Sequence, residues 1–227
     1  MRLYKLNEYI YYTDYEEFRD RPRLGYIKGD NFSVAIDAGH SDNHLNEFYD
    51  LLKENNLPLP KLTILTHWHW DHTFAMHAVN GLTIASEKTN KHLIDFINKQ
   101  NKETDLKFRE LDTSILNEYP INKDIIVKKA DIIYNNKLTI DLGNTTFEVF
   151  ECISPHSDDC TLIYLPKEKV IFIGDGVCGE FPTWIVDPVI GEKMIEILKN
   201  IDFNTSIGGH WDNLNKEDLI EFIKQGY

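Results

Sequence analysis

Apolar and polar positions alternate through the first third of the chain, the period of strands with one covered face. YKL (4–6) and YIYYT (9–13) alternate weakly. LGYIK (24–28) and NFSVAID (31–37) flank Gly29-Asp30-Asn31, a hairpin signal. The period then lengthens: within 41–56, Leu45, Phe48, Leu51 and Leu52 fall at helical spacing behind Ser41 or Asp42 as N-cap, and LPLP stops the helix. KLTILT (61–66) is short, β-branched and apolar, which predicts a strand buried on both faces. TFAMHAV (73–79) opens like a helix, LTIAS (82–86) reads as a strand and KHLIDFINK (91–99) as a helix, whereas 101–125 is charged and reads as helix and loop.

From residue 130 the strand pattern returns. ADIIY (130–134) and KLTID (137–141) meet at Asn135-Asn136, read as a tight turn, and Leu142-Gly143-Asn144 makes a second turn into TTFEVFECI (145–153). CTLIYL (160–165) and KVIFIGD (169–175) are two further apolar strands. PVIGEKMIEILKNI (188–201) and KEDLIEFIKQ (216–225) are amphipathic and flank TSIGGH (205–210). Strands in both halves with helices between them predict an α/β fold, two sheets packed as a sandwich with helices outside. With no repeat, low-complexity stretch or linker, a single domain over 1–227 is expected.

Composition adds limits rather than identity. A formal net charge of −13 disfavours extended contact with nucleic acid or an anionic membrane. No apolar run approaches a membrane span, and the N-terminus lacks a signal-peptide core. The cysteines, Cys152, Cys160 and Cys178, are too few and odd in number for a disulfide framework. These features predict a cytoplasmic protein with a small-molecule substrate, no membrane and no nucleic-acid partner, and leave its oligomeric state open.

The chemistry is concentrated in HWHWDH (67–72), just past the buried strand 61–66, at a strand-to-helix junction where α/β sheets place ligands. In an extended loop His67, His69 and Asp71 project to one side, with Trp68 and Trp70 on the other. Asp71 and His72, being adjacent, point apart. One loop could thus serve two metals, His67 and His69 on one, Asp71 and His72 on the other, with catalytic zinc keeping a position for water. Three more polar residues follow apolar strands: His156, Asp175 and His210.

HWHWDH with His156, Asp175 and His210 in this order resembles the metallo-β-lactamase superfamily of metallohydrolases. Asp37-Ala38-Gly39 is similar to that family's Asp-x-Gly turn, and IFIGD to its Gly-Asp strand end. The resemblance implies a four-layer αββα sandwich. It implies His67, His69 and His156 on a first metal, Asp71, His72 and His210 on a second, and Asp175 bridging. The cofactors would be two divalent ions, zinc first, with iron or manganese as alternatives. The stretch Ser154-Pro155-His156-Ser157-Asp158-Asp159 departs from the family's usual Gly before this histidine and Thr/Ser-Pro-Gly after it, and places two more carboxylates near the metals. Thr73-Phe74-Ala75 stands where a glycine pair is usual. His40 and His44 are expected on the surface, His77 and His92 on helices as structural or solvated residues, and Cys178 as a small buried hydrophobe.

Two such ions would hold a bridging hydroxide that attacks an ester-like substrate: a thioester, lactone or lactam. Asp71 would orient the nucleophile and move the leaving-group proton. The alternatives are a phosphodiesterase or nuclease on the same site, and a mononuclear iron dioxygenase.

Overall fold

The computed structural model describes residues 1–226. Seven strands form one sheet in sequence order: β1 (Leu3–Lys5), β2 (Ile10–Thr13), β3 (Gly25–Ile27), β4 (Val34–Ile36), β5 (Leu62–Ile64), β6 (Leu82–Ser86) and β7 (Ile132–Tyr134). β1 to β4 pair antiparallel, β4 to β7 parallel. The second sheet is ordered β12-β11-β10-β9-β8, from β8 (Lys137–Asp141), β9 (Thr146–Glu151), β10 (Thr161–Leu165), β11 (Val170–Gly174) and β12 (Thr205–Gly208). It is antiparallel except for β11 and β12, so β9, β11 and β12 run in one direction.

Alternation decides which residues meet between the sheets. Val34, Ile36 and Ile64 from the first face Val149, Ile163, Leu165 and Phe172 from the second in one buried cluster. Their neighbours point outward: Ala35 and Leu65 pack under α1 (Asp42–Glu54) and α3 (Glu87–Lys99), while Leu162, Ile171 and Ile173 pack under α6 (Pro188–Lys199) and α7 (Lys216–Gln225). The layers are helix, sheet, sheet, helix. Each long helix starts on a side-chain cap: Ser41, Ser86, Asp187 and Asn215 accept backbone N–H groups of their first turns.

Two local expectations need correction, and a third gains detail. Asn135-Asn136 is no hairpin: β7 ends one sheet and β8 opens the other, with Asn136 at φ 64 turning the chain between layers. The turn chemistry is the same whether the strands pair or part. TFAMHAV does not open a long helix. The turn α2 (Trp70–Thr73) passes into a 3-10 turn, Phe74–Ala78, because the His72 carbonyl is taken by the N–H groups of Ala38 and Gly39, at 2.9 and 3.2 Å. The charged stretch 101–125 holds two short helices, α4 (Lys102–Arg109) and α5 (Thr113–Glu118), whose Phe108 and Ile115 join Trp70 and Phe74 in a satellite cluster.

Candidate metal centre

The carboxyl ends of β5, β9, β11 and β12 gather at one rim of the sandwich. β5 leads into His67, His69, Asp71 and His72, β9 into His156, β11 into Asp175 and β12 into His210. The structure brings all seven together in two groups. His67, His69 and His156 form one, and Asp71, His72, Asp175 and His210 the other, with potential ligand atoms within 4.8 Å of each other in each group. HWHWDH divides between them because His67 and His69 precede the α2 turn, whereas Asp71 and His72 lie on it. Thr73 Oγ1 fixes that turn by donating to the carbonyls of Trp68 and His69, both at 2.9 Å.

Six of the seven are buried, and His210 keeps 24% of its side chain exposed. Their second nitrogens define which atoms point inward. Thr66 Oγ1 spends its single proton on Asp37, at 2.9 Å from Oδ2, so it accepts from His67 Nδ1 at 3.1 Å and leaves His67 Nε2 with a lone pair. His156 Nδ1 donates to the Gly179 carbonyl at 3.0 Å, freeing its Nε2. These two acceptors face each other at 3.2 Å, with His69 Nδ1 at 2.9 Å from His156 Nε2. Tetrahedral zinc with ~2.0–2.1 Å bonds has nitrogen–nitrogen edges of about 3.3 Å, so the first group fits a divalent ion.

In the second group His72 Nδ1 donates to Asp37 Oδ2 at 2.8 Å, aiming Nε2 at Asp71 and Asp175, 3.1 and 3.4 Å away. His72 Nε2 and Asp175 Oδ1 are buried without a hydrogen-bond partner. His210 Nε2 lies 2.9 Å from Asp71 Oδ2 and 3.5 Å from Asp175 Oδ2. Gly209 is required beside them, since a Cβ there would collide with Asp175 Oδ1. Two carboxylates, two imidazoles and two orphaned atoms also fit a divalent cation.

The two groups differ electrostatically. Burial and the neighbouring imidazoles hold His67 well below the ordinary histidine range, and burial and His156 push His69 down to about 3. Burial opposes charge on His72 and His210 too, but Asp71 and Asp175 outweigh it, raising His72 well above its usual range and His210 to about 9. In return, His72 and His210 overcome burial to hold Asp71 and Asp175 below the usual carboxylate range. In the second group, protons stand in for positive charge that a cation would supply.

Several residues differ from their sequence-based placement. His40 and His44 are buried, not on the surface. His40 Nδ1 faces the carbonyls of Arg19 and Asp20, at 2.8 and 3.0 Å, and His44 Nδ1 accepts from the His40 N–H at 3.2 Å. Asp158 and Asp159 belong to neither group. Asp158 is exposed and pairs with His92 at 2.6 Å; Asp159 is buried and accepts from Ser157. His77 sits half-buried on the 3-10 turn, and Cys178 is half-buried with its thiol pushed up by burial. Trp70 is buried, whereas Trp68 stacks on His92 and lines the cavity over the site.

Sequence reasoning missed two residues, Thr66 and Asp20, and gave Asp37 no contact of its own. Asp37 and Thr66 orient His72 and His67, although the Asp-x-Gly turn already marked Asp37. Asp20 left no local signal. It accepts from Trp70 Nε1 at 3.0 Å, and burial together with Asp71 pushes its carboxyl up to about 7. A cavity of about 1120 Å³ opens over His69 and His156, walled by Trp68, Phe108, Pro155 and Phe181.

Comparison with known proteins agrees with this architecture. A solved metallo-beta-lactamase from Pontibacter korlensis superposes with a TM-score of 0.69 at 17% identity, over 98% of each chain. One from Hirschia baltica gives 0.69 at 16% identity, over 98% of this chain and 96% of that one. The stereoselective sec-alkylsulfatase Pisa1 from Pseudomonas sp. gives 0.74 at 12% identity, and this chain spans only 40% of its length. At such identities the likeness is one of fold. No curated protein matches the chain by sequence. The profile of the metallo-beta-lactamase superfamily matches residues 24–210, a span that holds all seven clustered residues. The chain belongs to the metallo-β-lactamase superfamily.

Proposed function

We propose that this protein is a dinuclear metal-dependent hydrolase of a small ester-like substrate: a thioester, lactone or lactam. Superfamily membership and the two His/Asp groups support metal-dependent hydrolysis. The observation that carries the dinuclear reading is the second group, Asp71, His72, Asp175 and His210, gathered beside a complete three-histidine set of which His69 and His156 line a cavity. His67, His69 and His156 would hold one ion and Asp71, His72 and His210 the other, with Asp175 between them; zinc suits the imidazole-rich donors best. When bound, such ions lower the pKa of water toward neutrality and polarise a substrate carbonyl.

The chain's own groups do the rest. Asp71, buried beside His72 and His210, takes a proton from the attacking water and passes it to the leaving group. Asp37 and Thr66 keep the imidazoles turned inward. The aromatic wall excludes bulk water from the reacting atoms. Glu151, Asp158 and Glu180 on the cavity wall repel a polyanion, which weighs against a nuclease. A four-residue second group is more than a mononuclear oxygenase needs. All three cysteines are free thiols, which suits a reducing compartment, and we place the protein in the cytoplasm.

Metal analysis of protein purified without chelators tests the reading: about two zinc ions per chain are expected, and one iron would overturn it. Asp71→Asn should cut kcat on a cleaved ester or thioester by roughly 10²-fold or more. Turnover within twofold of the parent would remove Asp71 from the proton-transfer role.

A further inference from the structure

We infer that the substrate's non-reacting part is a medium- or long-chain apolar acyl group, laid from the metal centre into a groove between α3 and α4; this rests on the hydrolase reading above. The cavity over His69 and His156 does not end at its aromatic wall. A second space of about 450 Å³ adjoins it over α3 and α4, where Phe96 and Phe108 meet edge to face with ring centres 5.6 Å apart, and Trp68, His92, Phe96, Phe108 and Leu111 line both. The first space alone matches the upper end of ordinary ligand pockets, roughly 300–1,000 Å³, so a short acyl group would leave the second unfilled.

Trp68, Phe96, Phe108 and Leu111 make the shared stretch apolar, and Asp95, Lys99, Gln100, Thr104 and Lys107 edge the second space. Some of the apolar side chains on the route are exposed. Leu111 is 54% exposed and Ile153 41%, and both face the cavity. Large apolar side chains left to water at a cavity mouth mark a surface that a ligand covers. The cations near the reacting end are occupied. Lys88 Nζ donates to the Asp158 carbonyl at 3.1 Å and pairs with Glu151 at 3.7 Å, and His92 is held by the Asp158 carboxylate at 2.6 Å. A carboxylate beside the scissile bond would find no spare partner there, whereas methylenes find Trp68, Phe96 and Phe108 in succession.

The stacked pair Trp68 and His92, with rings 5.6 Å apart and 25° from parallel, stands where the two spaces join. Trp68 therefore separates the reacting end from the chain-binding end and reports on both.

The test uses metal-loaded protein and p-nitrophenyl esters from acetate to decanoate. kcat/KM should rise with each methylene by up to about fourfold, the fold-change that ~0.8 kcal/mol per buried CH₂ gives. Leu111→Glu, at an exposed position that leaves folding intact, should lower the decanoate-to-acetate ratio of kcat/KM by tenfold or more. A second readout needs no turnover: tryptophan fluorescence titrated with acetamide, hexanamide and octanamide, where affinity should climb with chain length and fall in Leu111→Glu. Ester cleavage with flat kcat/KM, and octanamide binding no tighter than acetamide, would overturn the inference and leave the hydrolase standing. Chain-length-dependent amide binding without cleavage of any ester would keep the groove and sink the hydrolase. Neither cleavage nor binding would overturn both.

Discussion

At the scale of single residues, the seven clustered side chains depend on partners that hold no metal themselves. Asp37 is the clearest. Its carboxylate takes the Thr66 N–H at 2.7 Å, the Thr66 hydroxyl and His72 Nδ1, and so sets two imidazoles at once. It sits at φ 64, a conformation that asparagine adopts as readily as aspartate, so Asp37→Asn changes chemistry without backbone strain. The new amide would set a donor against a donor at His72 or at Thr66. Loss of such an outer partner typically costs 10- to 100-fold in metal affinity. In a titration against a chromophoric chelator, one of two ions should loosen by about that factor in Asp37→Asn, with the other much less affected. Both ions binding as in the parent would show that His72 needs no such partner. Asp37 was legible in the sequence because it belongs to a local turn motif. Asp20 was not, since its closeness to Trp70 and Asp71 joins segments about fifty positions apart and leaves no spacing to read.

At the scale of elements, the rim of the site is held by an ion pair beneath it. Arg21 donates to both Glu118 oxygens, at 2.8 and 3.1 Å, and both side chains are almost fully buried. Glu118 also accepts from Ser41, the N-cap of α1, so the pair ties the segment before β3 to α1 and α5. That segment carries Asp20, and the same junction buries His40, whose carbonyl accepts from the Tyr119 hydroxyl at 2.7 Å. Arg21→Met would strand a buried carboxylate, a change that typically costs ~3–5 kcal/mol. Urea denaturation should show that loss, and Arg21→Met with Glu118→Leu should recover most of it. A double variant as unstable as the single would mean that the arginine's packing, not its charge, holds the junction. Buried strands and long amphipathic helices were legible from their periods, as in β5, α1 and α6. The stretch 101–125 read as helix and loop, but the bounds of α4 and α5 were not legible, since α4 buries only Phe108 and Arg109. The burial of His40 and His44 was hidden as well. Polar residues in a turn or a helix's first turn favour the surface unless backbone groups receive them, as the Arg19 and Asp20 carbonyls receive His40 and the His40 N–H meets His44 Nδ1.

At the scale of the whole molecule, the candidate metal centre is also a staple between the two sheets. His67, His69, Asp71 and His72 follow β5 of the seven-stranded sheet; His156, Asp175 and His210 follow β9, β11 and β12 of the five-stranded one. Each group takes residues from both sheets. Away from the rim, the sheets meet through Val34, Ile36, Ile64, Val149, Ile163 and Phe172, an apolar interface that owes nothing to an ion. Metal removal should therefore loosen the rim and leave the sandwich folded. Ligand binding to the native state alone adds ~2.7 kcal/mol at a free concentration 100-fold above Kd. For a chain of this length 1 kcal/mol moves Tm by about 2–4 °C, so exhaustive chelation should lower Tm by roughly 5–10 °C. Far-UV circular dichroism at 25 °C should stay unchanged. Re-addition of zinc should restore Tm along a curve that depends on free zinc, not on total protein, as mass action requires. Loss of the far-UV signal on chelation would place the folding of both sheets under metal control. An unmoved Tm would mean that the seven residues bind no ion tightly enough to join the sheets, and the dinuclear reading would fall with it.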